Sequence, residues 1–315
     1  MKKIPLKWIQ NLDTHVATHK KRGKFLSAAS GMVFVNGIFY VIADDELHLA
    51  SFPLNKKGQL HKIFKSKKLP HEKSKRKKAK PDLESLCLLK NTKKEVTLVA
   101  IPSGSTSKRT QGAKIYLNKT DPLKAQKIQK IDYSKLFKFL LKIPPELNIE
   151  GALIFRNNFL LAQRGNGKLG DNSLIRLNFE KFKADLKKGM ISKKCYEDSK
   201  RLNIGKLDSH SLSITDLAEG SDKKIYFLGV AENSHSTYLD GTYQGSVIGT
   251  LDLYGKVKIL GHLQVAEKPE GLFFKANSRK FYLVTDADDP SIPSKLYQGL
   301  MPHSKLKEKV SEDHE

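Results

Sequence analysis

No stretch of this 315-residue chain approaches the roughly 20 consecutive apolar residues that a membrane-spanning helix needs. The opening MKKIPLKWIQ is basic, but it has neither the apolar run nor the small-residue cleavage site of a signal peptide. Cysteine is scarce. Cys87 and Cys195 fit no metal or redox spacing, and Cys87 lies inside an apolar run, as a buried small hydrophobe does. Together these absences lead us to expect a cytosolic protein, or one exported without an N-terminal signal. A phosphate cradle is also lacking, because glycine-rich GNGKLG (Gly165–Gly170) is followed by no helix. Ser103 in IPSGSTS has no nucleophile elbow and no identifiable histidine partner, so it reads as part of a polar loop.

Acid is in deficit. Lys and Arg number 57 against 33 Asp and Glu, a formal charge of +24. Such a field attracts phosphorylated small molecules, anionic surfaces and nucleic acid alike. The strongest basic block, KSKKLPHEKSKRKKAKPD (Lys65–Asp82), contains no aromatic residue on which bases could stack, and one loop is not a continuous basic stripe. Nucleic-acid binding is therefore not expected. Residues 65–80 read as a flexible Lys-rich loop and 302–315 as a polar tail.

What is present is a repeat. EKPEGLFF (Glu267–Phe274), LNIEGALIF (Leu147–Phe155) and PDLESLCLL (Pro81–Leu89) each set an acidic residue before an apolar strand. ASGMVFV (Ala29–Val35) and ITDLAEG (Ile214–Gly220) are weaker copies. In each copy a turn follows, then a second apolar strand that ends in polar residues. Asn36-Gly37 is the clearest turn, a hairpin signal because both positions need positive φ. The copies start near Ser30, Glu84, Glu150, Asp216 and Glu270, spacings slightly long for a four-stranded propeller blade. Two helix-like insertions, Asp132–Lys142 and Phe179–Gly189, account for part of the excess.

These features predict an all-β chain: a single β-propeller over residues 1–301, with five blades (or six, if a degenerate one has been merged). Residues 4–13 form the closing strand, paired into the last blade so that no sheet edge stays open. A monomer is expected.

In a four-stranded blade the start of the first strand and the end of the second emerge on one face. That places Ser30, Glu84, Glu150, Asp216 and Glu270 around one channel mouth. Asp44, Asp45, Ser103, Arg164, Glu232, Asn233, Asp286 and Asp288 join them there. Glu and Gly at strand starts also have an architectural reading, in which the carboxylate accepts backbone N–H groups and Gly permits close approach. Carboxylates so crowded repel unless something positive sits among them: Arg164, Arg109 or a bound cation such as Ca²⁺. Arg164, Arg109, Asn233 and His235 are the candidate ligand-binding side chains. His235, like His210, is of a type that can act as general base.

The pairing of SGMVFVNGIFYVIADDE, NIEGALIF and KPEGLFF with DLAEGSDKKIYFLGVAENS resembles the bacterial phytase-like (esterase-like) and SdiA-regulated-type β-propellers. The resemblance extends over roughly residues 29 to 300 and is specific for a propeller. It implies a divalent cation, Ca²⁺ first, held by Asp44, Glu84, Glu150, Glu232, Glu270 and Asp286. Lactonase-type propellers, with one metal on a Glu, an Asn and an Asp, imply Glu150 or Glu270 with Asn233 and Asp286. The implied function is binding of a small polar or phosphorylated ligand, with metal-assisted hydrolysis of an ester, phosphoester or lactone. The rival reading is a non-catalytic scaffold that binds a protein partner or an anionic surface through its lysines.

Overall fold

A computed structural model describes residues 2–65, 68–118, 120–143, 146–165, 171–233 and 242–302. The chain is all-β and begins with β1 (Lys3–Asn11). The first four-stranded sheet holds β2 (Ala29–Val35), β3 (Ile38–Ala43), β4 (His48–Pro53) and β5 (Gln59–Lys62). A short helix, α1 (Lys73–Ala79), leads to the second sheet: β6 (Leu83–Asn91), β7 (Val96–Pro102), β8 (Gln111–Leu117) and β9 (Ala125–Asp132). After α2 (Ser134–Leu140) comes the third sheet, β10 (Ile149–Phe155), β11 (Asn158–Gln163), β12 (Asn172–Asn178) and β13 (Tyr196–Leu202), with α3 (Phe179–Lys188) inserted before its last strand.

The remaining strands form one nine-stranded sheet. Its first part is β14 (Lys206–Leu207), β15 (His210–Glu219), β16 (Ile225–Asn233), β17 (Thr242–Leu251) and β18 (Val257–Gln264). Its second part is β19 (Lys268–Phe274), β20 (Lys280–Asp286) and β21 (Lys295–Leu300), with β1 antiparallel to β21 as the fourth strand. In the strand ladder the two parts meet where Lys3–Pro5 run parallel to His262–Gln264.

Local chemistry explains these elements. Asn36 and Gly37 take the positive φ values, 52° and 83°, that a tight hairpin requires. In α3 the apolar positions Phe179, Phe182 and Leu186 fall on one face. The Asn178 side chain caps its first turn and Gly189 ends it in the left-handed conformation. Phe182 stacks on Phe159 at 3.9 Å, and α2 buries Leu136, Phe137 and Leu140 in the same cluster.

The apolar faces of successive units form five clusters: first with second, second with third, third with fourth, fourth with fifth and fifth with first. The fifth includes Leu12, Val284 and Leu296 against Met32 and Val41, which closes the circuit. The inner strands β2, β6, β10, β15 and β19 also contact each other in turn, and β19 returns to β2. Gly makes that approach feasible. A Cβ on Gly31 would meet the Leu86 backbone N at 2.7 Å, and one on Gly151 would meet that of Leu217 at 2.9 Å.

The segment read as a loop over 65–80 differs, since α1 occupies part of it. Its anchor is a cation rather than an apolar stripe, which is why no periodicity marked it. Arg76 is buried and donates to Glu46 at 2.7 Å and to the carbonyls of Asp45 and Pro70. Among the described residues no helix is long and apolar enough to cross a membrane.

Candidate functional site

Each inner strand carries a β-bulge where it enters the ring, at the same place in all five units. The register skips Ser30, Glu84, Glu150, Thr215 and Glu270. A bulge re-aims a side chain out of the sheet's alternation, and Ser30, Glu84, Glu150 and Glu270 line one polar cavity at the channel mouth. The fourth unit corrects the sequence alignment: Thr215 is the bulged residue, and Asp216 follows it. Asp216 accepts the backbone N–H groups of Leu217 and Leu272 at 2.8 and 2.7 Å, and it faces the opposite end of the channel. For Asp216 the architectural reading holds. The bulged glutamates line the mouth cavity instead.

The second-strand ends arrive at the same mouth, since Lys268 pairs with Asp286 and Ile149 with Gln163. Of the residues expected there, Arg164, Arg109, Asp44, Glu84, Glu150, Glu270 and Asp286 line the cavity. Glu232 reaches it through Arg164. Asn233 ends β16, but its side chain and the whole of His235 lie outside the described residues. His210 stands at the start of β15 and is not among the cavity residues.

Basic side chains are threaded through the acidic ring. Arg164 is buried and spans two units: it donates to Glu232 at 2.5 Å, Glu150 at 3.2 Å and Ser213 at 3.2 Å. The Lys268 ammonium lies 3.0 Å from Glu270, 3.3 Å from Glu232 and 3.4 Å from Asp288. Lys80 sits between Asp44 and Asp82, 2.7 Å from the latter. Arg109 donates to Asp82 at 2.8 Å and to the Lys77 carbonyl, which ties α1 to the second sheet.

Lys80, Lys268 and Asp82 were not found from the sequence. A signal existed, however, because both lysines precede proline, in KPDLE and KPEG. Proline fixes its own φ and holds the residue before it extended, so each lysine enters the inner strand in a set direction. Lys80 has φ −61° and ψ 146°.

The cluster pushes its carboxyl groups apart. Burial raises Glu270 to about 8 even against Lys268 and Arg164. Burial also raises Glu84 well above the ordinary range, helped by Glu150, Asp82 and Asp44. Glu150, Asp44 and Asp286 are raised too, mainly by burial. Asp82 goes the other way. Burial disfavours its charge, but Lys80, Arg109 and Ser103 outweigh that and hold it below its usual value. One cavity therefore contains a carboxyl group that keeps its proton near neutrality and another that stays ionised.

The mouth cavity is small, about 50 Å³. It adjoins a second of about 100 Å³ beneath α1, lined by Arg22, His71, Lys73, Arg76 and Lys77 as well as Asp44 and Lys80. Among the described residues, acidic ligand atoms come close enough to share a metal ion in one group. Ligand oxygens of Asp44, Asp82 and Glu84 lie within 4.8 Å of each other. Lys80 already sits against two of them, so a hard cation fits this oxygen set only with Lys80 withdrawn. Glu150, Glu232 and Glu270 are instead engaged by Arg164 and Lys268.

Residues 25–301 match a family of unknown function, DUF6929. The chain belongs to that family. A search of curated proteins finds no match. Among solved structures, this DUF6929 chain is similar to an α-L-arabinofuranosidase from Podospora anserina in complex with cellotriose, at TM-score 0.50 and 9% identity over 96% of both chains. It is also similar to an arabinanase from Bacillus subtilis (TM-score 0.44, 12% identity, 88% of this chain and 95% of that). A third is virginiamycin B lyase from Staphylococcus aureus (TM-score 0.36, 10% identity, 88% of this chain and 67% of that). These neighbours are β-propeller proteins, and at 9% identity the likeness to the arabinofuranosidase speaks for the fold alone.

Proposed function

We propose that the chain is a single five-bladed propeller, closed by its N-terminal strand, whose charged channel mouth binds a small polar or phosphorylated ligand and hydrolyses an ester, phosphoester or lactone in it. The closed circuit of inner strands and the place of β1 beside β21 support the five-bladed reading. The phytase-like resemblance belongs to the same proposal.

One observation carries the chemistry: Glu270, held protonated to about pH 8, shares a cavity with ionised Asp82. Environments that push two carboxyl groups apart separate a proton donor from an acceptor. Glu270 is the proposed general acid and Asp82 the acceptor. Lys268 and Lys80 stand beside them to hold developing negative charge. At about 50 Å³ the mouth admits a few waters or a phosphate-sized group. The rest of the ligand would lie under α1, near Lys73 and Lys77.

A divalent cation belongs to this proposal only at Asp44, Asp82 and Glu84, in place of the Lys80 ammonium. Bound there, it would polarise a ligand oxygen.

The test is a screen of p-nitrophenyl esters, p-nitrophenyl phosphate and lactones from pH 5 to 9, with and without Ca²⁺, Mg²⁺, Mn²⁺ or Zn²⁺. Turnover that falls 100-fold or more in Glu270→Gln, with the fold intact, supports the reading. Thermal unfolding is run alongside, because a cation that binds only the folded state raises the midpoint. Lys80→Ala should gain a metal-dependent rise. No turnover of any class, and no metal shift even in Lys80→Ala, would overturn the hydrolase. In that case the scaffold reading, favoured by exposed Lys73, Lys75 and Lys78 on α1, predicts salt-sensitive partner binding indifferent to metal.

A further inference from the structure

The end of the channel away from the charged mouth has the opposite chemistry, and nothing in the hydrolase reading uses it. There the five inner strands surround a cavity of about 320 Å³, open to solvent. Met32, Leu86, Ile154, Leu217 and Phe273 are among its walls. Two carboxylates reach it: Asp216 has both oxygens taken by backbone N–H groups, and Glu219 lies 3.4 Å from the Lys223 ammonium. Small-molecule sites are concave, mostly apolar and roughly 300 Å³ or larger. A cavity of about 150 Å³ lined by such side chains accepts benzene. Twice that volume suits a two-ring body or a medium acyl chain.

The rim adds a sign. Inner strands pair antiparallel with second strands, so every first hairpin turns at this end. The β6–β7 hairpin carries Lys90, Lys93 and Lys94 against Glu95. The β10–β11 turn carries Arg156. In the β15–β16 turn Lys223 and Lys224 meet Glu219 and Asp222, and Lys223 itself lines the cavity. The β19–β20 turn carries Lys275, Arg279 and Lys280 with no acid. An apolar hollow ringed by net positive charge selects a guest with an apolar body and an acidic head.

We propose that this end of the channel binds a small amphipathic anion, its apolar body between the inner strands and its head among the basic hairpins. The occupant is a free small molecule, since the walls are the converging inner strands and a folded partner has no access between them.

Calorimetric titration of the full chain with decanoate tests this, with decylammonium as the charge-reversed probe. Expected are saturable one-to-one binding of decanoate with a negative heat-capacity change, and at least ten-fold weaker binding of decylammonium. Ile154→Lys should weaken decanoate ten-fold or more. Lys223→Glu with Lys275→Glu, both exposed positions that leave the fold intact, should weaken it several-fold. Glu270→Gln at the other end should leave it unchanged, so failure here and failure of the hydrolase reading are separable. The proposal is overturned by no saturable binding, by equal binding of decylammonium, or by an affinity unmoved in the charge-reversed double variant. It is also overturned if decanoate is ignored while phosphatidylglycerol vesicles are bound, which would make the surface a membrane contact. If Ile154→Lys does not fold, the double variant decides alone.

Discussion

The two ends of one channel are built from the same five strands and share almost no chemistry. At the mouth each inner strand bulges and turns a Ser, Glu or Thr out of register. A few residues on, the strands run regularly and present Met32, Leu86, Ala152, Leu217 and Leu272. The contrast separates what the ring needs from what it carries. Close backbone approach at Gly31, Gly151 and Gly271 holds the strands together. Buried charge does not serve that purpose well, because desolvation offsets most of the attraction in an ion pair. A mouth with Lys80, Lys268, Arg164 and Arg109 threaded among carboxylates is a poor way to stabilise a channel whose other end is lined by side chains of Leu and Met.

Three sets of variants separate the two ends. The largest effect is expected from Gly151→Val, which strikes the frame beneath both ends. Its Cβ would sit 2.9 Å from the Leu217 backbone N, where no flexible atom can yield. We expect a loss of roughly 4 kcal/mol or more, read by urea unfolding or by failure to recover soluble protein. Stability within 1 kcal/mol of wild type would mean that the inner strands are not packed backbone to backbone.

Next come paired deletions, one at each end. Arg164→Ala removes the guanidinium shared by Glu150 and Glu232 and should cost about 3–5 kcal/mol at pH 8. Leu272→Ala empties part of the apolar wall and should cost about 2–5 kcal/mol. The magnitudes overlap, but the pH responses do not. At pH 5 Glu150, which burial already raises, can take a proton, so the Arg164→Ala loss shrinks, whereas the Leu272→Ala loss stays constant. Equal pH profiles for the two variants would erase the distinction between the ends.

The smallest effect is a slope. Folded Glu270 holds its proton up to about pH 8, against an ordinary value of 4.5. The folded chain therefore carries the extra proton between those values. Its contribution is fully present below about pH 4.5 and is lost as pH rises to about 8, at up to about 1.4 kcal/mol per unit. Glu84, Glu150 and Asp286 act in the same direction. Asp82, held low, acts in the opposite one, its contribution being lost as pH falls. Glu270→Gln should flatten the decline between pH 5 and 8 in unfolding midpoints. An unchanged slope would remove Glu270 as the protonated member of the mouth.

Local sequence signals carry the period, the all-β class, the Asn36-Gly37 hairpin, helices α2 and α3 and the face on which Glu84, Glu150, Glu270, Arg164 and Asp286 meet. These depend on local φ preferences, on alternation along a strand and on antiparallel connectivity, all of which are written in nearest neighbours. Only the tertiary structure decided which cations answer those carboxylates. Lys80 and Lys268 arrive from positions beside prolines, in a chain with 57 lysines and arginines to choose from. It also decided that Thr215 rather than Asp216 takes the bulge, and that Arg76 turns a basic stretch into a helix by burying its head against Glu46. A bulge shifts register by one residue, and an ion pair joins groups far apart in the chain. Both are settled where strands from different units converge, at distances that a linear pattern does not contain.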